Sequence, residues 1–488
     1  MNKGREITKI PSGVPGLDEI LKGGYIATDA YLVRGGPGTG KTTIGIQFLY
    51  EGVKKGETSL FIALSETVDK IKRNSKQKGI DMGGTIFLDL TPSTDEEDKE
   101  QSYNIFSPSE VEQPSFIERI NEELKKHQPD RIFVDGITQL HYLFPDVYQF
   151  RKQILSLINL ATANGGTIVI SSEASQTIND DDIQFMSDGV INLEFVNDER
   201  GARVTKFRGS DFMSGFHSMR LSSTGMIIYP KLDPEANKRD FVSEKVSSGV
   251  AELDELLHGG IEKGTATVIS GPTGVGKTTM GAQFVKEASE RGERSVIYTF
   301  EERKEALIGR CESINIPIGK MMDKGNLSVV KVNPLQYTPE QFSYLVRSEV
   351  EKMDAKIIML DSISGYLLSF TKGPRDRDDM LRHLYSLSEY LKNMGVTLLL
   401  INEVHNITGD FKVTEYGISY LADNIVFLRY LEVKGEMHKA IGVLKKRMSD
   451  FEKNLREFTI TKQGLKVGQP LRGLRGILEG KPEFIINE

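Results

Sequence analysis

Two glycine-rich segments of the chain have the residue types and the spacing that bind phosphate groups. They begin at Gly35 and Gly271, read GGPGTGKTT and GPTGVGKTT, and both contain the pattern G-x-x-x-x-G-K-T. Glycine lets backbone N–H groups curl around a phosphate, and the helix behind such a loop adds its positive N-terminal end. The lysine then reaches the outer phosphates, and the next hydroxyl ligates Mg²⁺. The residues expected to contact a nucleotide are Gly36, Gly38, Thr39, Gly40, Lys41, Thr42 and Thr43 in the first loop, and Thr273, Gly274, Val275, Gly276, Lys277, Thr278 and Thr279 in the second.

The two loops belong to one duplicated stretch of sequence. Lys41 and Lys277 lie 236 residues apart, and so do Ser12 and Ser248, which begin the related stretches SGVPGLDEILKGGY and SGVAELDELLHGGI. A repeat of this length has the size of a domain. We therefore predict a first domain over residues 1–228, a linker over 229–245 and a second domain over 246–488.

Two aspartates occupy strand-end positions at which a phosphate-loop site can bind its metal ion. Asp135 and Asp361 each end an apolar segment that reads as a buried strand. A strand-end aspartate of this kind holds Mg²⁺ through water, next to the hydroxyl of the phosphate loop. We expect Thr42 with Asp135, and Thr278 with Asp361, to form the two metal sites.

Further acidic residues are candidates for catalysis. Glu66 and Glu302 lie 236 residues apart, and each is predicted to close the strand that follows the loop helix. A carboxylate there can orient or deprotonate a nucleophile directed at the γ-phosphate. The preceding residue is Ser65 in the first half and Glu301 in the second, so only the second half has a carboxylate pair. Glu66, Glu301 and Glu302 are therefore the candidate catalytic residues, with solvent-facing acids as the alternative.

A basic triplet lies near the end of each half. The first contains Lys206 and Arg208, and the second contains Lys445 and Arg447. The planar guanidinium fork of arginine suits a phosphate. In hexameric ATPases such cations often come from the neighbouring subunit, so these four residues are candidates for ATP binding. An ordinary basic strand edge is the alternative.

The alternation of apolar and amphipathic segments in both halves predicts the fold class. It indicates an α/β protein with two tandem P-loop domains, each a mostly parallel twisted sheet flanked by helices. A single cysteine, Cys311, leaves no disulfide within the chain, and no segment has the composition of a signal peptide or a membrane helix. We expect a cytoplasmic protein. The net charge of −7 argues against nucleic-acid binding.

These motifs together resemble the KaiC family of double-domain RecA-like ATPases. The resemblance rests on SGVPGLDEILKGGY, GGPGTGKTT and LSET in the first half, and on GVGKTT, FEER, KIIMLDSISG and YLEVKGEMHKAIGVLKKR in the second. It implies RecA-like domains in two stacked rings of six, with ATP and Mg²⁺ at subunit interfaces and slow hydrolysis. It also implies that the first ring is chiefly an ATPase and that the second adds autokinase and autophosphatase activity. The expected assembly is a homohexamer, with a dodecamer as the alternative.

The resemblance also places the phosphoacceptor. Ser419 and Tyr420 stand where the family has an adjacent Ser-Thr pair, and Thr414 matches a nearby threonine. Because a phenol holds its oxygen further from the backbone than threonine does, Ser419 is the expected acceptor, ahead of Tyr420 and Thr414. Gln184 and Phe185 occupy the corresponding places in the first half, which has no hydroxyl there.

The resemblance carries expectations about partners as well. The chain stops soon after Pro482, without the longer tail that binds KaiA in cyanobacterial members, so KaiA is not expected to bind. A KaiB-like partner could dock on the first domain, where the first half has an insertion over residues 94–114. Its acidic segment TDEEDKE is either a solvated loop or a docking surface.

Two other functional classes share the core motifs. One is a nucleic-acid motor of the RecA/RadA or DnaB type, which the net charge and the lack of a basic, aromatic-rich segment disfavour. The other is a nucleotide-gated signalling scaffold with little turnover. Glu66 and Glu302 argue against the scaffold, because tight binding alone does not require them.

Overall fold

The computed structural model describes most of the chain in two compact units. The units are Met1–Lys231 and Leu232–Glu488. The described residues are 7–91, 114–141, 146–174, 180–196, 198–333, 336–370, 376–404, 418–433, 435–472, 474–475 and 483–484. Within them, no helix is both long enough and apolar enough to cross a membrane.

The first unit alternates strands and helices as the sequence pattern predicts. Its strands are β1 Lys9–Ile10, β2 Tyr25–Ile26, β3 Ala30–Gly35, β4 Ser59–Ala63, β5 Thr85–Asp89, β6 Arg131–Asp135, β7 Thr167–Glu173, β8 Gly189–Val196, β9 Glu199–Phe207, β10 His217–Ser222 and β11 Gly225–Tyr229. Its helices are α1 Leu17–Ile20, α2 Lys41–Lys54, α3 Val68–Gln77, α4 Pro114–His127, α5 Thr138–His141, α6 Val147–Ala163 and α7 Asp181–Met186.

The second unit repeats this order. Its strands are β12 Lys245–Val246, β13 Ile261–Glu262, β14 Ala266–Gly271, β15 Ser295–Thr299, β16 Leu327–Lys331, β17 Ile357–Asp361, β18 Thr397–Glu403, β19 Asn424–Val433, β20 Glu436–Lys446, β21 Arg456–Thr461, β22 Gly464–Pro470, β23 Leu474–Arg475 and β24 Glu483–Phe484. Its helices are α8 Ala251–Leu256, α9 Lys277–Glu290, α10 Lys304–Glu312, α11 Ile318–Asp323, α12 Pro339–Glu351, α13 Ile363–Phe370 and α14 Asp376–Asn393, and a 3₁₀ turn spans Ile418–Tyr420.

Each unit is built on a nine-stranded sheet. In the first unit the order is β11-β10-β9-β8-β3-β7-β6-β4-β5, and in the second it is β16-β15-β17-β18-β14-β19-β20-β21-β22. Six neighbouring strands of each sheet pair in parallel. They are β8, β3, β7, β6, β4 and β5 in the first unit, and β16, β15, β17, β18, β14 and β19 in the second. The remaining three strands of each sheet extend it by antiparallel hairpins. The predicted fold class is therefore confirmed, and the antiparallel extension was not predicted.

Apolar residues fill both faces of each sheet. Along β17, Ile357 and Met359 belong to one buried cluster, whereas Ile358 and Leu360 belong to another. This two-residue alternation is expected when helices cover both faces of a parallel sheet, since every strand position is then buried. The central strands read as continuous apolar runs for this reason.

The strand before each candidate base ends three residues earlier than predicted. β4 ends at Ala63 and β15 at Thr299, so Glu66 and Glu302 lie in the bends that follow. The residue after each strand still donates one backbone hydrogen bond to the neighbouring strand, and the chain then leaves the sheet. Both carboxylates therefore lie at the carboxyl edge of a parallel sheet, which is where α/β folds bind ligands.

The boundary between the units falls inside the segment predicted as a linker. Tyr229 still belongs to β11, whereas Leu232 packs against the core of the second unit. The carbonyl oxygen of Pro234 accepts a hydrogen bond from Asn393 Nδ2 at 2.9 Å. Much of this segment is therefore attached to the second unit.

A fully buried arginine joins three parts of the first unit. The side chain of Arg131 is 0% exposed, and its Nε lies 2.5 Å from Glu57 Oε2. Its Nη1 donates to the carbonyl oxygens of Pro11 and Phe48 at 2.7 and 3.0 Å, and the guanidinium lies over the Phe48 ring. Gly52 leaves room for it, because a Cβ there would lie 2.6 Å from Arg131 Cδ. The aligned position of the second unit, Ile357, is apolar.

The second unit contains an enclosed histidine that should make its stability pH-dependent. His383 Nε2 lies 2.9 Å from Ser343 Oγ, and Nδ1 contacts the Tyr366 hydroxyl. Burial lowers the pKa of His383 from 6.5 to about 4. Because the unfolded chain then binds the proton more tightly, stability is lost as pH falls from about 6.5 to about 4, by at most ~3.4 kcal/mol.

This pH effect can be measured by difference. Chemical unfolding of the wild type and of His383→Gln is compared between pH 7 and pH 4, so that contributions from other groups cancel. The wild type is expected to lose more free energy of unfolding on acidification than the variant does. Equal losses in the two proteins would show that His383 is not held neutral.

Candidate nucleotide-binding site

The two phosphate loops share one backbone conformation. Gly38 and Gly274 have φ angles of 72° and 74°, and Gly40 and Gly276 have 105° and 121°. These values lie in the left-handed region that only glycine adopts without strain. The glycine spacing is thus explained by the turn itself, which leads directly into α2 in one unit and α9 in the other.

Several of the predicted loop residues have buried side chains. Thr39 and Val275, which are equivalent positions, are buried at 1% and 0% exposure, so they can meet a nucleotide only through their backbone. Thr43 and Thr279 are also buried and lie in the first turn of the helix that follows.

The loop lysines are held close to the loop carbonyls. Lys41 Nζ donates to the oxygens of Gly35 and Gly36 at 2.7 and 3.0 Å, and Lys277 Nζ donates to that of Pro272 at 2.8 Å. Burial lowers the pKa of both ammonium groups, and neighbouring carboxylates oppose that shift. Each ammonium can therefore exchange a carbonyl for a phosphate oxygen with little movement.

A hydroxyl and a carboxylate meet at the base of each loop. Thr42 Oγ1 donates to Asp135 Oδ2 at 2.8 Å, and Thr278 Oγ1 donates to Asp361 Oδ2 at 2.9 Å. Burial raises the pKa of both carboxyl groups, that of Asp361 to about 6. The sequence placed the members of these pairs 93 and 83 residues apart, and the structure brings them into contact.

These pairs fit a magnesium ion. A buried carboxylate whose charged form is disfavoured gains from a cation beside it. Mg²⁺ is commonly held by one or two protein oxygens together with substrate phosphates and water. Among the described residues there is no group of three His, Cys, Asp or Glu that could hold a metal. Thr42 with Asp135, and Thr278 with Asp361, are the residues that would hold such an ion.

The loop of the second unit borders a cleft of about 460 Å³. The cleft brings together all of the predicted loop residues except Val275, both candidate catalytic carboxylates and the strand-end aspartate. Its lining residues are Thr273, Gly274, Gly276, Lys277, Thr278, Thr279, Glu301, Glu302, Arg310, Ile314, Asp361, Ser362, Ile401, Glu403, Lys439 and Ile460. The volume suits a small organic ligand.

The two carboxylates in this cleft have different partners. Glu301 Oε1 accepts a hydrogen bond from Ser362 Oγ at 2.6 Å. Glu302 is ion-paired with Arg310, whose Nη2 lies 2.6 Å from Oε2. In the first unit, Glu66 pairs instead with Lys70 at 2.7 Å, one helical turn further along the chain.

Several lining residues were not found from the sequence. Arg310 belongs to none of the sequence motifs, and Ile314 and Ile460 read as ordinary apolar positions. Lys439 Nζ reaches the carbonyl oxygen of Gly274 at 3.4 Å. Ser362 lies in KIIMLDSISG and Lys439 in YLEVKGEMHKAIGVLKKR, so both residues belong to segments that carry the family resemblance, but no pattern in the sequence assigns a role to either one.

The basic triplets contact a different part of each unit. Lys445 Nζ donates to the carbonyl oxygens of Ser419 and Ala422 at 2.9 and 2.6 Å, and Arg447 pairs with Asp423 at 3.2 Å. Neither cation lines the cleft of its own unit.

The first unit repeats these contacts. Lys206 Nζ donates to the carbonyl oxygens of Gln184 and Phe185 at 2.8 and 2.9 Å, and Arg208 lies 3.6 Å from Asp188. The triplets therefore contact equivalent positions in the two units, which are the end of α7 in the first and the 3₁₀ turn in the second.

The candidate phosphoacceptors lie on the turn that Lys445 holds. Ser419 and Tyr420 belong to the 3₁₀ turn, and both are exposed, Tyr420 by 51%. The Tyr420 ring lies 6.3 Å from that of Tyr385. Thr414 lies outside the described residues, as does the acidic insertion of the first half except for Pro114, where α4 begins.

Comparison with known proteins identifies the family of the chain. A family model described as ATPase: KaiC matches residues 10–233 and 246–472. The circadian clock oscillator protein KaiC of Prochlorococcus marinus subsp. pastoris is 28% identical over 99% of this chain and 95% of that protein. The circadian clock protein KaiC3 of Synechocystis is 28% identical over 98% of this chain and 95% of its own length. A KaiC from Thermostichus vulcanus is 27% identical over 98% of the chain and 93% of that protein. Because the family model matches both of its RecA-like domains, the chain is a member of the KaiC ATPase family.

Proposed function

We propose that this chain hydrolyses Mg²⁺-ATP in both domains and that the second domain also transfers the γ-phosphoryl group to Ser419, within a homohexamer. The observation that carries the proposal is the cleft of the second unit. There Lys277, Thr278 and Asp361 border the same space as Glu301 and Glu302. Phosphate binding, metal binding and proton acceptance are thus available at one place.

The chemistry of the cleft follows from these side chains. Thr278 and Asp361 would hold Mg²⁺, which would supply positive charge to the phosphate oxygens during transfer. Lys277 holds the outer phosphates in line with the attacking oxygen of water or of Ser419. As that oxygen bonds to the γ-phosphorus, the bond to the β-phosphate oxygen breaks, ADP leaves, and a carboxylate of the cleft takes the proton.

The position of the basic triplets supports a ring. Lys445 and Arg447 are exposed or partly exposed cations that do not border their own cleft. Cations so placed can complete the site of an adjacent copy, which is how the nucleotide of a ring-forming ATPase is bound at an interface. The mass of the assembly in solution distinguishes a homohexamer from a dodecamer.

A labelling experiment tests hydrolysis and transfer together. Incubation of the full-length chain with γ-labelled ATP and Mg²⁺ is expected to release labelled phosphate and to label the protein at Ser419. Ser419→Ala should lose the protein label and continue to release phosphate. Tyr420→Phe, which removes only the neighbouring hydroxyl, is the matched control and should keep the label.

Mixing two variants tests whether transfer crosses subunits. Lys277→Ala lacks the nucleotide-binding lysine of the second domain, and Ser419→Ala lacks the acceptor. In a mixture the Lys277→Ala chain is expected to become labelled, whereas neither variant should become labelled at Ser419 when it is incubated alone. Released phosphate without any protein label would leave an ATPase and refute the autokinase. Stimulation of turnover by DNA with a strong salt dependence would instead indicate a nucleic-acid motor.

A further inference from the structure

The duplicated units differ at one contact beside the catalytic carboxylates. In the second unit Glu301 accepts a hydrogen bond from Ser362, the residue after the strand-end aspartate. In the first unit the equivalent positions are Ser65 and Gly136. The carboxylate and its hydroxyl donor are therefore present together in one unit and replaced together in the other.

The hydroxyl of Ser362 can donate in only one direction. Its oxygen accepts a hydrogen bond from the backbone N–H of Gly365 at 3.1 Å, and the residue is 5% exposed. The hydroxyl proton is thus directed to Glu301 Oε1. This contact fixes the rotation of the carboxylate, since the donor itself is fixed to the start of α13.

The first unit cannot form this contact with its present backbone. Gly136 has a φ of 90°, which favours glycine, and a Cβ there would lie 2.8 Å from the Cβ of Ser65. A serine at this position would be strained and would collide with its neighbour. The hydroxyl–carboxylate pair is therefore a property of the second unit alone.

The two carboxylates of the second cleft are not equally available. Both oxygens of Glu302 contact Arg310, at 3.3 and 2.6 Å. Within the described part of the chain, only Oε1 of Glu301 is engaged, by Ser362, and Oε2 of this carboxylate has no hydrogen-bond partner. A carboxylate held at one oxygen and open at the other is oriented and can still accept a proton.

We infer that Ser362 is a positioning residue of the second active site, which orients Glu301 for proton acceptance from the group that attacks ATP. The inference rests on the proposed function and adds a residue that acts through Glu301 rather than on the nucleotide. A hydrogen bond to a charged group contributes more than one between two neutral groups. Loss of this hydrogen bond is expected to lower kcat about tenfold, which is equivalent to about 1.4 kcal/mol.

The test isolates the second site in the full-length chain. Glu66→Gln is used as the background, because it silences hydrolysis in the first domain while leaving its loop intact. In that background Ser362→Ala should lower kcat about tenfold with little change in KM for ATP. Ser362→Thr, which keeps the hydroxyl, should retain most of the activity.

A double-mutant cycle separates positioning from a structural role. If Ser362 acts through Glu301, then Ser362→Ala should have no further effect once Glu301→Gln is present. Additive losses, or a rise in KM alone, would overturn the inference, and so would unchanged kcat in Ser362→Ala. No turnover at all in the Glu66→Gln chain would instead overturn hydrolysis in the second domain, and the inference with it.

Discussion

Replacing Lys277 by alanine is expected to remove nucleotide from the second domain and to leave the first domain occupied. The bound nucleotide should fall from two per chain to one. Lys41→Ala should do the converse. Each lysine lies within its own loop, against the loop carbonyls, so neither can compensate for the other.

The effect should be large because of the charge around the second cleft. Glu301, Glu302, Asp361 and Glu403 all border it, and a triphosphate adds further negative charge. Of the other cations that line the cleft, Arg310 is already paired with Glu302. We therefore expect Lys277→Ala to weaken ATP binding at this site at least about 100-fold, equivalent to about 2.7 kcal/mol.

Equilibrium dialysis with labelled ATP and Mg²⁺ measures both stoichiometry and affinity. Lys439→Ala is the matched control, because it removes a cation from the same cleft without changing the phosphate loop. We expect it to weaken binding by about tenfold at most. Retention of two nucleotides per chain in Lys277→Ala would refute the assignment of this lysine.

Replacing Arg131 by methionine should destabilise the first unit by about 3 kcal/mol. The substitution keeps most of the apolar volume and removes the guanidinium. The carbonyl oxygens of Pro11 and Phe48 then lose their donor in the interior, and Glu57 loses its partner. Breaking one side of a buried ion pair costs about 3–5 kcal/mol because the remaining groups stay desolvated.

Hydrogen exchange gives a reading for each unit separately. Amides of β4 and β6 should lose protection in Arg131→Met, while those of β15 and β17 serve as an internal reference. Arg151→Met is the control, since it breaks the exposed pair with Asp182 and should cost less than about 1 kcal/mol. Equal protection of β6 in the two variants would mean that the buried network contributes little.

Sequence patterns predicted those parts of the fold and site that depend on neighbouring residues. The loops before α2 and α9 require glycine at particular positions, so their motif can be recognised from the sequence alone. The strands ending at Asp135 and Asp361 are buried on both faces, and therefore read as continuous apolar runs. The central sheet and the candidate metal-site aspartates follow from these two local signals.

The remainder depends on contacts between distant residues. Ser362 reaches Glu301 across 61 positions, and the partner of Arg131 is 74 residues away. No periodicity encodes such pairs. β4 and β15 end three residues earlier than predicted for a related reason. The chain leaves the sheet at the point where the neighbouring strands offer no further pairing.

The lysine at the turn of the candidate acceptor has one proton that the turn does not use. Lys445 donates to the carbonyls of Ser419 and Ala422, which occupies two of the three protons of its ammonium group. In the proposed ring, a phosphate of the adjacent copy can bind the third proton without disturbing the turn, whereas a phosphate that displaces a carbonyl would loosen the turn and bind more weakly by the same free energy. Lys206 donates to the end of α7, where Gln184 and Phe185 have no hydroxyl. We therefore expect a phosphate bound at this lysine to affect a candidate acceptor in the second domain alone.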